Sequence, residues 1–548
     1  MTETLNQIIN KNWPKAQSHW SQFLLLSEPK NDSHQHSIAQ IHLGNRQVTL
    51  NHKTITEKGL EDCVEAMLAH EIGHHVRYPG TLAVQARLRL LEKSLIPIEE
   101  YSLINLFTDL MINEQIGRSQ RDQLIRIYQA FDNTSLNDPA FLFYLAIYEE
   151  LWQQEPGALM GDVLDDFENH YPSYRADAQL LSQNIFNLGP NIYTQFIYFI
   201  SVVCRYIKPP ELEIPKTLNP YQCAADEPNP EDWAEALTPS AREKEAIRKA
   251  IAEGWLNEKE AESLDNKNNL ERRIMGLPGM QEGAADQIPE IMAAYYRQQA
   301  ERYLVHPPPQ RTLGDAVVPT SIDEWESHDA VQDIDWLTTL LYRGEELGTA
   351  LPLKRNKIAE YEGYDVPLWQ PKVEIYLDVS GSMPDPRYTH NAMTLASQIL
   401  VMGAIRAGGR ARALLYSSDH VAYWQWCRSE IELSRFLMHY IGSGTEFPFE
   451  KLQSSVQESG EAQPIRVIIS DHDFDRNYDN HKKAPDILGE AIQSSQQLIL
   501  LLHATGELND SRYQAAGASV IRIEEMEDFP KLAAKLAQAL FSENSHEY

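Results

Sequence analysis

The stretch from residue 371 to residue 383 constrains the fold more than any other part of this 548-residue chain. It runs P-K-V-E-I-Y-L-D-V-S-G-S-M, and its apolar residues Val373, Ile375 and Leu377 alternate with more polar ones. That alternation predicts a β-strand. Gly381 then gives the backbone the freedom to turn sharply. The sequence therefore predicts a sheet strand that leads into a tight loop.

The loop after this strand carries oxygen ligands at alternate positions. Asp378, Ser380 and Ser382 can point at one spot, and a carboxylate with hydroxyl groups suits a hard cation such as Mg²⁺. Three oxygens do not fill an octahedron, so further ligands must come from distant loops. Two candidates follow along the chain: Thr445 in the loop G-S-G-T-E-F, and Asp471 at the end of the predicted strand I-R-V-I-I-S.

These five residues resemble the metal-ion-dependent adhesion site (MIDAS) of von Willebrand factor A (vWA) domains. The pattern there is D-x-S-x-S, then a threonine, then an aspartate after a buried strand. The resemblance covers residues 371–548 and implies a doubly wound, Rossmann-like α/β fold that binds magnesium and one further acidic oxygen from a partner or substrate. The chain departs from the family at His472 and Asp473, where glycine is common after the aspartate.

The order of elements in this terminal region supports an α/β fold independently of the motif. Apolar strands are predicted near residues 373–378, 411–416, 465–470, 497–503 and 518–523. Helices are predicted at 390–407 and 526–541. Such alternation is typical of a parallel sheet, which places its ligands at the carboxyl ends of the strands. An aromatic segment, 421–426, is expected to pack on the sheet or to form its edge.

A second motif, H-E-I-G-H, lies in a helical run predicted from residue 59 to residue 77. His70 and His74 are four residues apart, so both imidazoles can reach one metal ion from the same helix face. Glu71 lies beside them, where it can act on a water molecule. The preceding segment, 38–51, is predicted to form a β-hairpin that turns at a Gly-Asn pair.

Two imidazoles alone make a weak site, so a third protein ligand is expected. The helical stretch 103–116 offers Asp109 and Glu114, which are five residues apart and point to different sides of the helix. Asp109 is favoured because Asn105 and Asn113 flank it at four-residue spacing and form a polar stripe on an apolar helix. Glu114 remains the alternative ligand.

Motif, hairpin and helix together resemble the zincin metallopeptidases over residues 38–115. The aspartate followed by isoleucine and asparagine is similar to that of bacterial metallopeptidase domains paired with vWA modules, whereas the asparagine-glutamate pair would match the glutamate zincins. The resemblance implies zinc held by His70, His74 and Asp109, with the hairpin holding an extended substrate. It also implies that Glu71 takes a proton from a zinc-activated water and passes it to the leaving amine.

The length of the chain exceeds what one hydrophobic core supports, and we expect three regions. Residues 1–205 are predicted to form a mainly α-helical, zincin-like α+β domain, and 206–370 a Pro-rich and helical connecting region before the vWA domain. Seven prolines between 208 and 239 predict a linker or extended arm. A charged helix is expected to follow it, with Thr238 as its N-cap.

The charge of the chain limits its partners. A net charge of −31 repels phosphate backbones and anionic lipids, so neither nucleic acid nor a membrane is expected as a partner. The four cysteines show no metal-binding or disulfide spacing, and the first residues lack a secretory pattern. We therefore expect a cytoplasmic protein.

The combination of the two motifs resembles bacterial systems in which a metallopeptidase–vWA protein works with a MoxR-type AAA+ ATPase. That resemblance implies a zinc-dependent hydrolase of peptide bonds with Mg²⁺ in its vWA domain and an AAA+ partner. The alternative is a non-catalytic adaptor that links such an ATPase to a client in protein remodelling or metal-cofactor insertion. An open fourth position on zinc favours the enzyme, and a fourth protein ligand favours the adaptor.

Overall fold

The computed structural model describes most of the chain, in twelve segments. These segments are residues 4–21, 23–96, 102–130, 138–207, 226–256, 269–277, 287–304, 318–344, 350–359, 370–458, 463–506 and 508–541. Helices and strands are numbered below in chain order within them. Among these segments, none of the helices combines the length and the apolar character that a membrane span requires.

The N-terminal region begins with a small sheet of three strands. The strands are β1 (Lys30–Asn31), β2 (Ala39–His42) and β3 (Gln47–Leu50), in the spatial order β1-β3-β2. Strands β2 and β3 are antiparallel, with Ile41 opposite Val48, so the predicted hairpin is confirmed. Strand β2 lies at an edge of this sheet.

Nine helices of the described residues build the rest of this region around one hydrophobic core. They are α1 (Leu5–Ser18), α2 (His52–Glu57), α3 (Val64–Val76), α4 (Leu82–Leu95), α5 (Ile104–Gln129), α6 (Pro139–Leu151), α7 (Leu164–His170), α8 (Tyr174–Asn184) and α9 (Ile192–Val203). Helix α3 carries the H-E-I-G-H motif and packs between α1 and α5.

A glycine inside the motif sets how closely α3 approaches its neighbours. A Cβ at Gly73 would lie 2.5 Å from Cζ2 of Trp20 and 2.8 Å from Cγ2 of Ile112, closer than real Cβ atoms come. Ile112 belongs to α5, the helix predicted to supply the third ligand. The absence of a side chain at residue 73 therefore lets α5 come close to the histidines.

The connecting region begins with four described helices. They are α10 (Pro230–Leu237), α11 (Ala241–Ala252), α12 (Asn269–Met275) and α13 (Ile288–Glu301). Residues 208–225 of the predicted arm lie outside the described residues. The prediction of a linker or extended arm was wrong for residues 230–237, because they form α10 and bury Trp233. Pro230 occupies the first turn of this helix after an Asn229 capping box, and proline at that position starts a helix instead of breaking it.

The predicted charged helix is present as α11, but it begins two residues later than expected. Its N-cap is Ser240, whose hydroxyl accepts a hydrogen bond from the backbone N–H of Glu243 at 3.1 Å. The prediction of Thr238 as the cap was therefore wrong. A serine caps a helix as well as a threonine does, and Thr238 instead ends α10.

Helices α10, α12 and α13 join the N-terminal region to the C-terminal sheet. Ala86 and Leu90 of α4, Trp233 of α10 and apolar residues of α13 belong to the same hydrophobic cluster as the strand at Val373. A small sheet of β4 (Val318–Glu324) and β5 (Leu353–Ala359), with α14 (Trp336–Arg343), precedes the C-terminal domain.

The C-terminal domain is a six-stranded sheet between two layers of helices. Its strands are β6 (Lys372–Asp378), β7 (Arg410–Tyr416), β8 (His420–Cys427), β9 (Ile465–Asp471), β10 (Gln497–His503) and β11 (Ser519–Ile523). The spatial order is β11-β10-β9-β6-β7-β8, and every pair is parallel except β7 with β8. The five predicted strands and the aromatic edge strand are confirmed.

Seven helices of the described residues cover the two faces of this sheet. They are α15 (Ala392–Arg406), α16 (Glu430–Phe436), α17 (Phe449–Glu458), α18 (Asp473–Asn480), α19 (Ala484–Gln493), α20 (Asp510–Ala516) and α21 (Phe529–Phe541). The two faces carry separate hydrophobic clusters, one with α15 and α21 and the other with α17 and α19. The domain is therefore a doubly wound α/β fold, as predicted.

Candidate metal centres

Helices α3 and α5 bring three predicted ligands to one point. His70 and His74 follow each other by one turn of α3, and their Nε2 atoms are 3.2 Å apart. Oδ1 of Asp109, from α5, lies 3.6 Å from Nε2 of His70 and 3.3 Å from Nε2 of His74. His74 and Asp109 are each 1% exposed and His70 is 8% exposed, so the group is buried and its most accessible member is His70.

The hydrogen bonds on the far side of each imidazole set its tautomer. Nδ1 of His74 lies 2.8 Å from the carbonyl oxygen of Tyr78, which can only accept, so Nδ1 carries the hydrogen. Nδ1 of His70 lies 2.7 Å from the amide oxygen Oδ1 of Asn113 and donates to it. Both Nε2 atoms therefore present a lone pair to the shared point.

Three acceptors that face one another repel, and a metal cation between them would relieve that repulsion. Oδ1 of Asp109 is buried and has no hydrogen-bond partner among the residues that the structure describes. Ligands held about 2.05 Å from a tetrahedral zinc ion lie about 3.3 Å from one another. The separations between His70, His74 and Asp109 match that value, and two imidazoles with one carboxylate are a donor set that zinc accepts. The residues therefore fit zinc.

Burial shifts the titration of all three groups. It lowers the pKa of His70 to about 4 and the pKa of His74 to about 4, which keeps both imidazoles neutral at physiological pH. It raises the pKa of Asp109 to about 7, although the nearby His70 lowers it in part. Neutral imidazole is the form that binds a metal, and a buried carboxylate is ionised more readily beside a cation.

Glu71 follows His70 on α3, and both residues line one cavity. Glu71 is 2% exposed. The cavity has a volume of about 30 Å³, which is enough for one or two water molecules. The cavity is otherwise mostly apolar, with Ile38, Ala39 and Met67 among its lining residues. Glu71 is thus placed where a water molecule can reach it.

The edge strand β2 runs beside this cavity. The carbonyl oxygen of Ile38 accepts from the N–H of Asn51 at 2.8 Å, and that of His42 accepts from the N–H of Arg46 at 2.7 Å. In an antiparallel pair alternate residues face the neighbouring strand, so the intervening Ala39 directs its N–H and C=O away from β3. These groups point away from β3, toward the unpaired edge of the sheet.

The remaining residues of the predicted zinc region lie outside the ligand group. Glu114 is half-buried and, among the described residues, lies outside the cluster of potential metal ligands. Asp109 belongs to that cluster. Asn105 and His75 are also half-buried. Of the two carboxylates proposed as third ligand, the structure brings Asp109 to the histidines.

Two contacts of this site were not predicted from the sequence. The carbonyl group of Tyr78 holds His74, and its only signal was a turn that ends the helix at Y-P-G. Asn113 was noticed as part of a polar stripe, but its contact with His70 and with the hydroxyl groups of Tyr128 and Tyr148 was not.

The second predicted site lies at the carboxyl ends of β6 and β9. Oγ of Ser380 is 3.0 Å from Oγ of Ser382, which donates to Oδ2 of Asp471 at 3.3 Å. Asp378 accepts from the backbone N–H of Ser380 at 3.0 Å and from the hydroxyl group of Ser470 at 2.8 Å. Burial raises the pKa of Asp378 from its ordinary value, with these bonds lowering it in part.

The loop that contains Thr445 is anchored against the strand ends. Its residue Ser443 accepts from the N–H of Gly381 at 2.7 Å, and the N–H of Glu446 donates to the carbonyl oxygen of Ser417 at 2.8 Å. A Cβ at Gly381 would lie 2.9 Å from the carbonyl oxygen of Ser443, so only glycine allows this approach. Thr445 lies between the two anchored residues.

The side chains of Asp378, Ser380, Ser382 and Asp471 offer oxygen at one edge of the sheet, which is the donor type that a hard cation takes, and the loop of Thr445 is anchored beside them. Asp378 and Ser380 are fully buried, Asp471 is buried and Ser382 is exposed, so the group opens to solvent on one side. The backbone N–H of Asp473 donates to Oδ1 of Asp471 at 2.9 Å. Asp473 therefore supports the ligand carboxylate through its main chain.

Comparisons with known proteins give structural neighbours only. No family model and no curated protein matches the chain. The solved structures that it resembles include an aerotolerance-related membrane protein from Bacteroides fragilis with multiple mutations to serines. That protein is 14% identical, and the match has a TM-score of 0.23 and covers 31% of this chain and 98% of that one. Two others are a von Willebrand factor type A structure from Catenulispora acidiphila and the conserved hypothetical protein BatB from Bacteroides thetaiotaomicron.

The Catenulispora structure is 11% identical, with a TM-score of 0.25 over 31% of this chain and 42% of that one. BatB is 14% identical, with a TM-score of 0.22 over 30% of this chain and 96% of that one. These neighbours are vWA-type and aerotolerance-related proteins.

Proposed function

We propose that the chain is a zinc-dependent metallopeptidase that hydrolyses peptide bonds. The observation that carries this proposal is the meeting of two imidazole nitrogens and one carboxylate oxygen within 3.6 Å, with Glu71 and His70 lining the same cavity. Three protein ligands leave a fourth position on a tetrahedral ion, as in catalytic zinc sites. His70, His74 and Asp109 would hold the ion.

The residues around this group have separate tasks in hydrolysis. Zinc, when bound, supplies a Lewis acid that acidifies a water molecule and polarises a peptide carbonyl. Glu71 accepts a proton from that water and returns it to the nitrogen of the leaving amine. Asn113 and the carbonyl group of Tyr78 hold the imidazoles in the tautomer that binds metal.

Strand β2 supplies a place for an extended substrate. The outward N–H and C=O groups of Ala39 would pair with the backbone of a peptide laid along the edge, which is how edge strands bind peptides. The apolar lining at Ile38 and Met67 would contact the substrate's side chains. The peptide would then cross the sheet edge directly beside Glu71.

We assign the C-terminal α/β domain a vWA role, in which Mg²⁺ binds at Asp378, Ser380, Ser382, Thr445 and Asp471. An ion held by two carboxylates and three hydroxyl groups retains affinity for one more anionic oxygen, so an acidic side chain of a partner or substrate completes it. The exposure of Ser382 gives that side chain access. The proposed partner that binds or delivers the substrate is a MoxR-type AAA+ ATPase.

A second candidate function is a non-catalytic adaptor of such an ATPase. The observation that favours it is the depth of the first site, where His74, Glu71 and Asp109 are at most 2% exposed and the cavity holds only one or two waters. A site of that depth suits a structural metal. In this case the vWA domain would carry the function, in protein remodelling or metal-cofactor insertion.

One experiment separates the two candidates. Full-length wild type and Glu71→Gln are each loaded with zinc, their zinc content is measured by elemental analysis, and the cleavage of an unfolded protein is followed. The peptidase predicts equal zinc and a rate at least 100-fold lower for Glu71→Gln, since a general base contributes about 10²- to 10⁴-fold. The control Glu114→Gln, a half-buried carboxylate outside the ligand group, should cleave like wild type. Equal cleavage rates for wild type and Glu71→Gln, both with zinc bound, would contradict the peptidase and favour the adaptor.

A further inference from the structure

The tip of the β2–β3 hairpin is held by a side chain from the connecting region. Oδ1 of Asp226 lies 3.0 Å from Nδ1 of His42, the last residue of β2, and Oδ2 of Asp226 accepts from the backbone N–H of Gly44 at 2.7 Å. A carboxylate can only accept, so Nδ1 of His42 donates to it. One carboxylate therefore binds both the end of β2 and the turn that follows.

The close approach of Asp226 depends on a glycine in this turn. A Cβ at Gly44 would lie 3.3 Å from Oδ2 of Asp226, which is tighter than most real Cβ contacts. Residues 44–46 are exposed, so packing adds little to the position of the turn. Hydrogen bonds to an ionised group are roughly twice as strong as neutral ones, so the carboxylate is a strong restraint on this exposed tip.

The chain around Asp226 is itself well anchored. Pro228 is buried, and Asn229 begins α10 with a capping box. Trp233 of α10 lies in the same hydrophobic cluster as apolar residues of β6 in the C-terminal sheet. Asp226 is therefore attached to a packed helix that lies against the C-terminal domain, and it holds the hairpin of the N-terminal region from that side.

The outward groups of β2 end where Asp226 binds. Alternate residues of β2 bond to the β3 side of the hairpin, so the N–H and C=O groups of Ala39 and Ile41 face the unpaired edge. A peptide paired with these groups would reach His42 next. Ala39 lines the same cavity as Glu71, and β2 has only four residues, so a displaced tip would tilt the whole edge relative to Glu71.

We infer that Asp226 is a positioning residue that holds β2 where the strand receives the backbone of the substrate. This inference rests on the proposed function and adds to it a residue from outside residues 1–205, the region predicted to form the peptidase domain. The substrate-binding edge of the peptidase is then completed by the connecting region.

The test compares the kinetics of zinc-loaded, full-length wild type and Asp226→Ala on a fluorescence-quenched peptide. Asp226→Ala should raise KM about 3- to 10-fold, the equivalent of about one hydrogen bond to the substrate backbone. Its kcat should stay within about twofold of that of wild type, because the edge binds the backbone equally well before and during the reaction. Elemental analysis should find the same zinc content in both proteins.

Two further variants separate positioning from general stability. Asp226→Asn keeps an oxygen that accepts from Gly44 and an NH₂ group that can donate to the other tautomer of His42, so its KM should be closer to wild type than to Asp226→Ala. The matched control is Glu227→Ala, which removes the next carboxylate in the chain, an exposed group that pairs with Arg89 on α4. Exposed ion pairs add little stability, so KM should not change.

Hydrogen–deuterium exchange gives a readout that does not need activity. Asp226→Ala should speed the exchange of residues 39–47 at least about fivefold, because the amide of Gly44 loses its acceptor and the hairpin opens more often. Exchange in α3, which carries the histidines, should stay as in wild type. Glu227→Ala should leave both segments unchanged.

The outcomes distinguish this inference from the proposed function. A wild type that binds no zinc or cleaves no peptide overturns both. Cleavage by wild type with an unchanged KM in Asp226→Ala, or with a KM raised equally in Glu227→Ala, overturns the role of Asp226 and leaves the peptidase standing. A lower kcat with loss of zinc does the same, because the effect then lies at the metal.

The exchange data complete the assignment. A higher KM in Asp226→Ala without faster exchange in the hairpin also overturns the positioning role, because Asp226 would then act on the substrate directly. A higher KM in Asp226→Ala with faster exchange confined to the hairpin, and with Glu227→Ala like wild type, supports the inference.

Discussion

The carboxylate of Glu92 accepts a hydrogen bond from the backbone N–H of Leu103, and this bond joins the last turn of α4 to the start of α5. Leu103 is the N-cap of α5, the helix that carries Asp109 and Asn113. Glu92 is 5% exposed and also accepts from the hydroxyl group of Ser102 at 3.1 Å. A buried carboxyl group therefore holds the helix that carries Asp109, the proposed third metal ligand.

The stability of the chain should depend on pH through Glu92. Burial raises the pKa of Glu92 to about 7, whereas a glutamate in an unfolded chain titrates near 4.3. The folded state thus binds more protons between these two pH values. The contribution of Glu92 to stability is therefore fully present below pH 4.3 and is lost as pH rises through 7. The expected loss is of the order of 4 kcal/mol, and most of it disappears in Glu92→Gln, which carries no charge.

The measurement for Glu92 compares urea midpoints of wild type and Glu92→Gln between pH 5 and pH 8. Every other titrating group is present in both proteins, so the difference between the two curves belongs to Glu92. As pH rises, the urea midpoint of Glu92→Gln should increase relative to that of wild type. Curves that stay parallel over this range would show that Glu92 does not titrate there.

The identity of the third zinc ligand can be tested by exchanging either carboxylate. Asp109→Ala should lower zinc affinity by more than 100-fold, because it removes a ligand from a three-ligand site and the loss of an outer partner alone costs 10- to 100-fold. Glu114→Ala should bind one zinc ion per chain, as wild type does. Elemental analysis after dialysis against a weak chelator measures both. Retention of zinc by Asp109→Ala and its loss from Glu114→Ala would reverse the assignment.

The sequence predicts the candidate ligands of the first site better than it predicts the residues that hold those ligands in place. Residues four apart on a helix must share a face, which placed His70 with His74, and a polar residue on an apolar helix pointed to Asp109. The hydrogen bonds from Asn113 to the hydroxyl groups of Tyr128 and Tyr148 gave no such signal, because Tyr148 belongs to an aromatic stripe that predicts only a packed core. Hydroxyl contacts between two helices depend on tertiary packing, which periodicity does not contain.

The C-terminal sheet shows the same limit. The positions of the strands and of the loop at Asp378 follow from local pattern, but Glu374 alternates with apolar residues and so predicts a half-exposed strand. It is in fact 1% exposed and forms buried ion pairs with Arg412 and, at 2.9 Å, with Arg466. Both arginines lie on neighbouring strands, so the pairing depends on a sheet order that no local pattern gives.

Magnesium should stabilise the C-terminal domain through the predicted oxygen ligands. An ion present at about 100 times its dissociation constant adds about 2.7 kcal/mol to the stability of a folded state that alone binds it. Wild type should therefore melt at a higher temperature with Mg²⁺ than with a chelator, and Asp378→Asn and Ser382→Ala should lose this shift. Calorimetry measures it, and Asp486→Asn, an exposed carboxylate on α19, is the control that should keep it. A full shift in Asp378→Asn would show that Mg²⁺ binds elsewhere.

The close approach of α3 to α5 can be tested with two glycine-to-alanine exchanges. Gly73→Ala should destabilise the chain by about 1–3 kcal/mol, because its methyl group would enter the space of Trp20 and Ile112. Gly489→Ala, inside α19 with nothing within 4 Å of its Cβ, should instead stabilise by up to about 1 kcal/mol through helix propensity. Urea unfolding compares the two. Gly73→Ala should also weaken zinc binding, because displacing α5 moves Asp109 away from the histidines. Zinc affinity equal to that of wild type, together with lower stability, would show that α5 holds Asp109 in place without this contact.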